Sequence, residues 1–219
     1  MSLNNVVSLQ DFSCERSTTC CFTGHRSRDL PFGGDIRRQG MKCLVSMLTL
    51  LIQEAYNDGF CTFISGMSEG IDIICAEIVH NMAAKKYGDI KLVCALPYAG
   101  QNREMTKPLD KYRYSMLLAT CDAVVFTSPA YEKGCYKLRN QFMVDHSSRL
   151  IGAIKDKKTG SGTLQTVNMA RRGGLDMKMI SLDRNPVLYI DTSEGHVSDL
   201  NDIKDIKIET FDHIESRPI

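Results

Sequence analysis

The sequence lacks an excess of charge of either sign. Its 219 residues include 27 Lys and Arg against 26 Asp and Glu, which gives a formal net charge of +1. Proteins that coat nucleic acid or an anionic membrane through bulk electrostatics need a strongly basic chain. The charge balance therefore gives no reason to expect such a protein, although it does not exclude a local basic patch.

The marks of membrane insertion and of secretion are lacking as well. No apolar run approaches the ~20 residues that a membrane span needs, and the N-terminal M-S-L-N-N-V-V lacks the charged and apolar regions of a signal peptide. The nine cysteines lack the spacing of a secreted disulfide framework, since Cys20 and Cys21 are adjacent and the others are scattered through apolar runs. We expect a cytoplasmic protein with reduced core thiols and no membrane partner.

What the sequence does have is a regular alternation of short apolar runs and longer amphipathic segments. This pattern is typical of βαβ units around a parallel sheet. Strands are expected near 19–24, 61–65, 91–96, 122–127, 149–154 and 177–182. Helices are expected over about 36–58, 70–86, 101–119, 135–147 and 163–173. The prediction is an α/β fold, a Rossmann-like three-layer αβα sandwich with a mostly parallel sheet, whose ligand crevice lies at the carboxyl ends of the strands.

The composition and periodicity of the sequence change near residue 185. Residues 1–185 are predicted to form the Rossmann-like domain. Residues 186–219 are a C-terminal extension that is charge-rich and weakly periodic, apart from V-L-Y-I-D, a candidate strand. The sequence predicts no definite structure for this extension.

The loop S-G-M-S-E-G-I-D after the second predicted strand fits two chemistries. Gly66, Ser68 and Gly70 match the G-x-S-x-G nucleophile elbow of serine hydrolases. However, only one βα unit precedes Ser68, whereas a hydrolase elbow follows several strands, and no spacing singles out a histidine partner. A phosphate-binding loop has fewer structural requirements than a hydrolase site. The glycines allow close backbone approach, and the following helix presents unpaired N–H groups.

Two carboxylates complicate the phosphate interpretation of this loop. Glu69 would repel a phosphate, so we expect it to meet a ribose hydroxyl or to favour the helix N-terminus, and Asp72 has the same two alternatives. A tight turn that binds nothing is the alternative for the loop taken alone.

A second loop, T-G-H-R, leaves the first predicted strand at the same sheet edge. Gly24 would form the turn, Arg26 could grip a phosphate as a two-pronged donor, and His25 could stack on a base or donate a hydrogen bond. A solvated arginine and a histidine that caps the turn are the plainer alternative.

A third loop, S-G-T-L-Q-T, opens the last predicted helix. Gly162, Thr163 and Thr166 place small, hydroxyl-bearing residues at a helix start, which favours an oxyanion.

Four sequence blocks together resemble a known family. They are T-G-H-R, S-G-M-S-E-G-I-D followed by Ala76-Glu77, R-N-Q-F-M-V-D-H-S and S-G-T-L-Q-T-V. In this order they resemble the SLOG superfamily, and specifically its branch containing the bacterial protein YpsA. The resemblance implies a Rossmann-like fold that binds a nucleotide or nucleotide-derived ligand, with a role for Gly66, Ser68, Glu69, Gly70 and Asp72. Arg139 would meet phosphate, and the adjacent Asn140 completes the predicted set.

The same superfamily contains the LOG enzymes, which cleave the N-glycosidic bond of adenosine-type monophosphates. Alignment of Gly162 with their glycine loop puts Arg139 in place of their site arginine, but Gln165 and Thr166 stand where they carry an acidic pair. Since activation of water needs a carboxylate, LOG-like hydrolysis is the alternative function, and Asp72, Glu69 or Glu77 would have to substitute. The preferred prediction is ligand binding with a sensor or regulatory role.

Other partners have weaker support in the sequence. A related branch, the DNA-processing proteins, binds single-stranded DNA, for which K-L-R-N and Arg171-Arg172 with Tyr131, Tyr136 and Phe142 are candidates; overall neutrality favours ordinary solvated charges instead. No metal site is expected, because Cys20 and Cys21 on a buried strand point in opposite directions. No cofactor is expected, and self-association stays open.

Overall fold

A seven-stranded, wholly parallel sheet forms the centre of the protein in a computed structural model that describes residues 3–85, 87–156, 161–185 and 188. The strands are β1 (Val6–Val7), β2 (Thr19–Gly24), β3 (Thr62–Ser65), β4 (Lys91–Leu96), β5 (Ala123–Phe126), β6 (Arg149–Ile154) and β7 (Asp176–Ser181). Their order across the sheet is β1-β5-β4-β3-β2-β6-β7. The pairing is parallel throughout, so the loops that follow the strands lie along one edge.

Among the described residues, five α-helices cover the two faces of this sheet. They are α1 (Gln39–Asn57), α2 (Ile71–Lys85), α3 (Pro108–Thr120), α4 (Cys135–Asp145) and α5 (Gly162–Arg172). Helices α1, α2 and α3 share one apolar core with one side of the sheet, and α4 and α5 share a second core with the other side. The predicted three-layer α/β fold is therefore confirmed.

The strands are apolar on both faces because both faces are covered. Cys20 and Phe22 of β2 pack into the first core, where Phe22 stacks on Phe63 with ring centroids 5.9 Å apart, whereas Cys21 packs into the second core. The two adjacent thiols thus lie on opposite sides of the sheet, as expected. No group of His, Cys, Asp and Glu residues in the described part of the chain could hold a metal ion.

Apart from shifts of one to three residues at the ends of elements, the structure differs from the predictions in two places. The short edge strand β1 was missed, because two residues are too few to show a periodic pattern. The predicted continuous helix over 101–119 was wrong: a 3-10 turn occupies Gln101–Glu104, and α3 begins only at Pro108. Proline is well suited to the first helical position because it lacks the N–H that would be unpaired there.

Two further predictions concern the chain termini and membranes. No helix within the described residues is both long and apolar enough to cross a membrane. The candidate strand V-L-Y-I-D and the extension from residue 186 lie outside the described residues, except Leu188, which is buried. The domain boundary at residue 185 stays a prediction.

Candidate ligand-binding site

The loop between β3 and α2 is held in an unusual backbone conformation. Gly70 has φ +96° and Met67 has φ +55°, the left-handed region that a non-glycine residue rarely adopts. Such a conformation costs about 1–3 kcal/mol and persists only where the surrounding structure imposes it. Here the Met67 side chain is fully buried, and its N–H donates to Ser65 Oγ at 3.1 Å. The loop is therefore fixed by its own core contacts.

A buried pair of opposite charges supports this loop from beneath. Asp72 Oδ2 accepts the Ser68 N–H at 3.3 Å and lies 3.8 Å from the Arg139 guanidinium. Arg139 donates to the Gly66 carbonyl oxygen and, at 3.3 Å, to Ser68 Oγ. A side chain at Gly66 would overlap both charged groups, so only glycine fits that position. Arg139 and Asp72 together set the shape of the loop.

Burial controls the ionisation of this pair. It raises the pKa of Asp72, which the positive charge of Arg139 opposes. It lowers the pKa of Arg139, which the negative charge of Asp72 opposes, and an arginine stays charged despite such a shift. Asn140 is buried too, and its Oδ1 accepts from Arg139 Nε at 2.9 Å. Since these contacts occupy the guanidinium beneath the loop, a phosphate contact of Arg139 stays a prediction.

Two glycines bring the loop after β2 directly against the loop after β3. A side chain at Gly24 would overlap Ile71, and one at Gly70 would overlap the backbone of His25 and Ser27. The Ile71 N–H donates to the His25 carbonyl oxygen at 3.3 Å across this contact. The two loops that the sequence predicts at one sheet edge therefore do touch, backbone to backbone.

The third predicted loop contacts the first loop. Thr163 Oγ1 donates to the Gly24 carbonyl oxygen at 2.9 Å. The Thr166 hydroxyl donates to the Gly162 carbonyl oxygen at 3.0 Å, within its own helix. Ser161, which the sequence did not single out, caps α5 by accepting the Leu164 N–H at 3.1 Å. Their contact with a ligand stays a prediction.

His25 is buried between the first loop and β6. It is 3% exposed, and its Nε2 accepts the backbone N–H of Lys155 at 2.9 Å. A nitrogen that accepts a hydrogen bond carries no proton, so the ring proton lies on Nδ1. The predicted stacking of His25 on a base stays untested, but the ring already has a place in the protein interior.

An open hollow lies where the first two loops meet. It encloses about 220 Å³, part of it open to solvent, and is lined by Arg26, Ser68, Glu69, Gln101, Met105 and Tyr136. Because this volume includes open solvent, the hollow is an open depression that takes only part of a drug-sized ligand. The sequence predicted Arg26, Ser68 and Glu69 here and missed Gln101 and Met105; Tyr136 was noted only as an aromatic neighbour of basic residues.

Gln101 is the most informative of the missed residues. It is 3% exposed, and its Nε2 donates to the Gly66 carbonyl oxygen at 3.0 Å, which fixes the orientation of the amide. Within the described part of the chain, no hydrogen-bond donor reaches its buried Oε1. A buried acceptor without a donor costs about 1–3 kcal/mol, so a donor on a ligand would gain that interaction.

The three carboxylates considered for catalysis occupy different environments. Glu77 is bound by Arg113 of α3, whose Nε donates to Oε1 at 2.5 Å. Asp72 is buried beneath the loop, and Glu69 lines the hollow. Of these three, Glu69 alone is placed to meet a ligand in the hollow.

The fold and the site define the class of the protein: a Rossmann-like α/β protein with glycine-containing loops at the carboxyl edge of a parallel sheet. The YpsA family model, described as the YspA SLOG family, matches residues 20–185. The chain belongs to this family.

Individual relatives are more distant. A UPF0398 protein of Bacillus cereus strain B4264 is 26% identical over 139 residues, which is 63% of this chain and 74% of that protein. A UPF0398 protein of Bacillus thuringiensis strain Al Hakam is 27% identical over 124 residues, which is 56% of this chain and 66% of that protein. These relatives carry no description of an activity.

Two solved structures have weak similarity to this chain. DNA processing protein A from Helicobacter pylori, which binds single-stranded DNA, has a TM-score of 0.49 and 16% identity over 75% of this chain and 65% of its own. SuiB from Streptococcus suis, solved bound to S-adenosylmethionine, has a TM-score of 0.30 and 10% identity over 76% of this chain and 39% of its own. The chain thus spans less than two-thirds of either structure, and neither similarity decides what it binds.

Proposed function

We propose that the protein binds a nucleotide or nucleotide-derived ligand, with a sensor or regulatory role, and that the phosphate of this ligand enters the hollow. The observation that carries the proposal is the convergence of Arg26 and Ser68 on one hollow, from two loops that Gly70 packs together. Arginine is the side chain best suited to a phosphate, because its planar guanidinium can donate two parallel hydrogen bonds.

The loop after β3 adds the dipole of a helix to this arrangement. Its residues lead directly into α2, which begins at Ile71, so the positive end of the helix dipole lies at the loop. Glu69 limits how much negative charge the hollow accepts, and its carboxylate is a suitable acceptor for a ribose hydroxyl. A ligand with both a phosphate and hydroxyl groups satisfies both residues.

The test compares wild-type protein with Arg26→Gln and with Arg28→Gln as the matched control. Arg28 has a side chain that is 79% exposed and lies two residues away along the same loop. Thermal stabilisation is measured against a panel of nucleotides, dinucleotides and ADP-ribose. We expect at least one of them to stabilise the wild type and the Arg28 variant but to bind Arg26→Gln about tenfold more weakly or worse, as expected for the loss of a charged hydrogen bond. If no compound stabilises the wild type, or Arg26→Gln binds equally well, the proposal is refuted.

The alternative function is LOG-like hydrolysis of an N-glycosidic bond, and the position of Glu69 is the observation that favours it. Free base released from the same panel is measured in parallel. Release by the wild type that is lost in Glu69→Gln, while thermal stabilisation is kept, would establish hydrolysis with Glu69 as the catalytic carboxylate. Stabilisation without release supports the binding function.

Single-stranded nucleic acid is a less favoured ligand. Arg139 of the basic K-L-R-N segment is 4% exposed and engaged beneath the loop, so it does not contribute to a basic groove. A steep dependence of oligonucleotide binding on salt concentration would be the contrary result.

A further inference from the structure

Three tyrosines form a cluster beside the hollow. Tyr98 follows β4, Tyr131 follows β5, and Tyr136 lies at the start of α4. The ring centroids of Tyr98 and Tyr131 are 5.4 Å apart, and those of Tyr98 and Tyr136 are 6.3 Å apart, both in edge-to-face orientation. Because β5, β4 and β3 are neighbours in a parallel sheet, this tyrosine cluster lies on the same edge as the two glycine loops.

The cluster extends from the hollow to the surface. Tyr136 lines the hollow itself, and its ring is fixed by the Arg139 guanidinium, whose central carbon lies 5.9 Å from the ring centroid. Gly100 allows the Tyr98 ring to lie close to the chain, since a side chain at Gly100 would come within 2.8 Å of that ring. Tyr131 is the outermost member and is 66% exposed. The inner rings are thus fixed and the outer ring is accessible.

We propose that this tyrosine cluster is the binding site for the base of the nucleotide, an inference that rests on the proposed function. Aromatic rings beside a phosphate site fit the two ends of a nucleotide, because every base presents a flat π-face for stacking. The hollow is an open depression that does not enclose a whole nucleotide, so the rest of the ligand must lie over an adjoining surface. The tyrosine cluster is such a surface, and Tyr136 belongs to both.

The buried amide of Gln101 supports the same ligand independently. Its Oε1 has no donor among the described residues, and Gln101 lines the hollow together with Arg26, Ser68 and Tyr136. The sugar connects the phosphate and the base of a nucleotide, and its hydroxyl groups are donors. A sugar hydroxyl would therefore supply the hydrogen bond that Gln101 Oε1 lacks within the protein.

The test measures binding by calorimetry with three kinds of probe: the four common nucleoside 5′-monophosphates, ribose 5-phosphate and a ten-nucleotide single-stranded DNA. The proteins are the wild type, Tyr131→Ala, Tyr131→Phe and the control Tyr112→Ala. Tyr112 lies on α3, outside the tyrosine cluster, and is 69% exposed, which closely matches Tyr131. Truncation of an exposed tyrosine leaves the fold intact, so changes in affinity report on the ligand.

We expect Tyr131→Ala to bind the tightest of the monophosphates at least about fivefold more weakly than the wild type, the lower limit for loss of a base–aromatic stack. Its affinity for ribose 5-phosphate should not change, and Tyr131→Phe and Tyr112→Ala should bind like the wild type.

If the wild type binds the monophosphates and Tyr131→Ala binds them equally well, the base site is refuted while the proposed function stands. If the wild type binds no monophosphate, the base site is refuted, and the proposed function then depends on the dinucleotides and ADP-ribose of the first panel. Tighter, Tyr131-dependent binding of the DNA would assign the cluster to a strand instead and overturn the proposal.

Discussion

Replacement of Arg139 by methionine tests whether the buried arginine shapes the glycine loop. The substitution keeps the unbranched stem of the side chain and removes the charged guanidinium, so Asp72 is left as a buried carboxylate without a cation. Removal of one partner from a buried pair costs about 3–5 kcal/mol. The distance of 3.8 Å between the two groups is long for an ion pair, and the Gly66 carbonyl keeps its hydrogen bond from Gln101, so we expect the lower limit of about 3 kcal/mol.

The assay is urea unfolding of the ligand-free protein, together with its thermal midpoint. A loss of about 3 kcal/mol lowers the midpoint of a domain of this size by roughly 6–12 °C. The control is Arg28→Met at an exposed position, which should change the free energy of unfolding by no more than about 0.5 kcal/mol. A second substitution, Asp72→Asn, removes the uncompensated charge and should restore about 1–3 kcal/mol of the loss in the double variant.

The free energy of unfolding should also depend on pH through the ionisation of Asp72. Burial raises the pKa of Asp72 in the folded state, so between its ordinary value of 3.8 and the raised value the folded protein binds more protons than the unfolded chain. The free energy of unfolding therefore falls as the pH rises through that interval, and it should fall further in Arg139→Met, which lacks the opposing charge. If Arg139→Met is as stable as the wild type at pH 7 but no longer binds the ligand, Arg139 is a ligand contact and the reasoning is refuted.

Two further predictions concern the loops and the thiols. Gly70→Ala should lower the free energy of unfolding clearly more than Gly59→Ala. Both glycines have positive φ, but only at Gly70 would the new methyl group overlap a neighbouring loop. Equal losses in urea unfolding would contradict the close approach of the two loops. Brief alkylation of the native protein should modify the partly exposed Cys14 and Cys61 before the seven buried thiols, as detected by mass spectrometry. Burial raises the pKa of Cys21 to about 12, so rapid labelling of Cys21 would contradict the structure.

The sheet was predictable because its strands are buried on both faces. A strand such as β4 is an apolar run of the right length between amphipathic segments, and its predicted bounds 91–96 match Lys91–Leu96. The edge strand β1 has no such signal, and the start of α3 depends on a proline whose effect was overlooked. Local pattern was sufficient where burial is uniform and insufficient where a segment is short or irregular.

The candidate site was predictable only in part, for a physical reason. Glycines at strand ends reveal where backbones must approach closely, so the two loops that meet at the hollow could be identified. The position of Gln101 depends on how the segment after β4 folds back over Gly66, and the burial of Arg139 depends on the packing of α4 against the sheet. Such contacts join residues 35 and 73 positions apart in the chain and leave no local signal.

The position of β2 between β3 and β6 has a consequence for the dynamics of the protein. A central strand is among the last parts of a domain to exchange its amide hydrogens, because its opening requires nearly global unfolding. The loop that carries Arg26 leaves this strand directly, so we expect it to be anchored in a slowly opening part of the molecule. A ligand that docks there loses little free energy to ordering the protein, and its affinity reflects the contacts themselves.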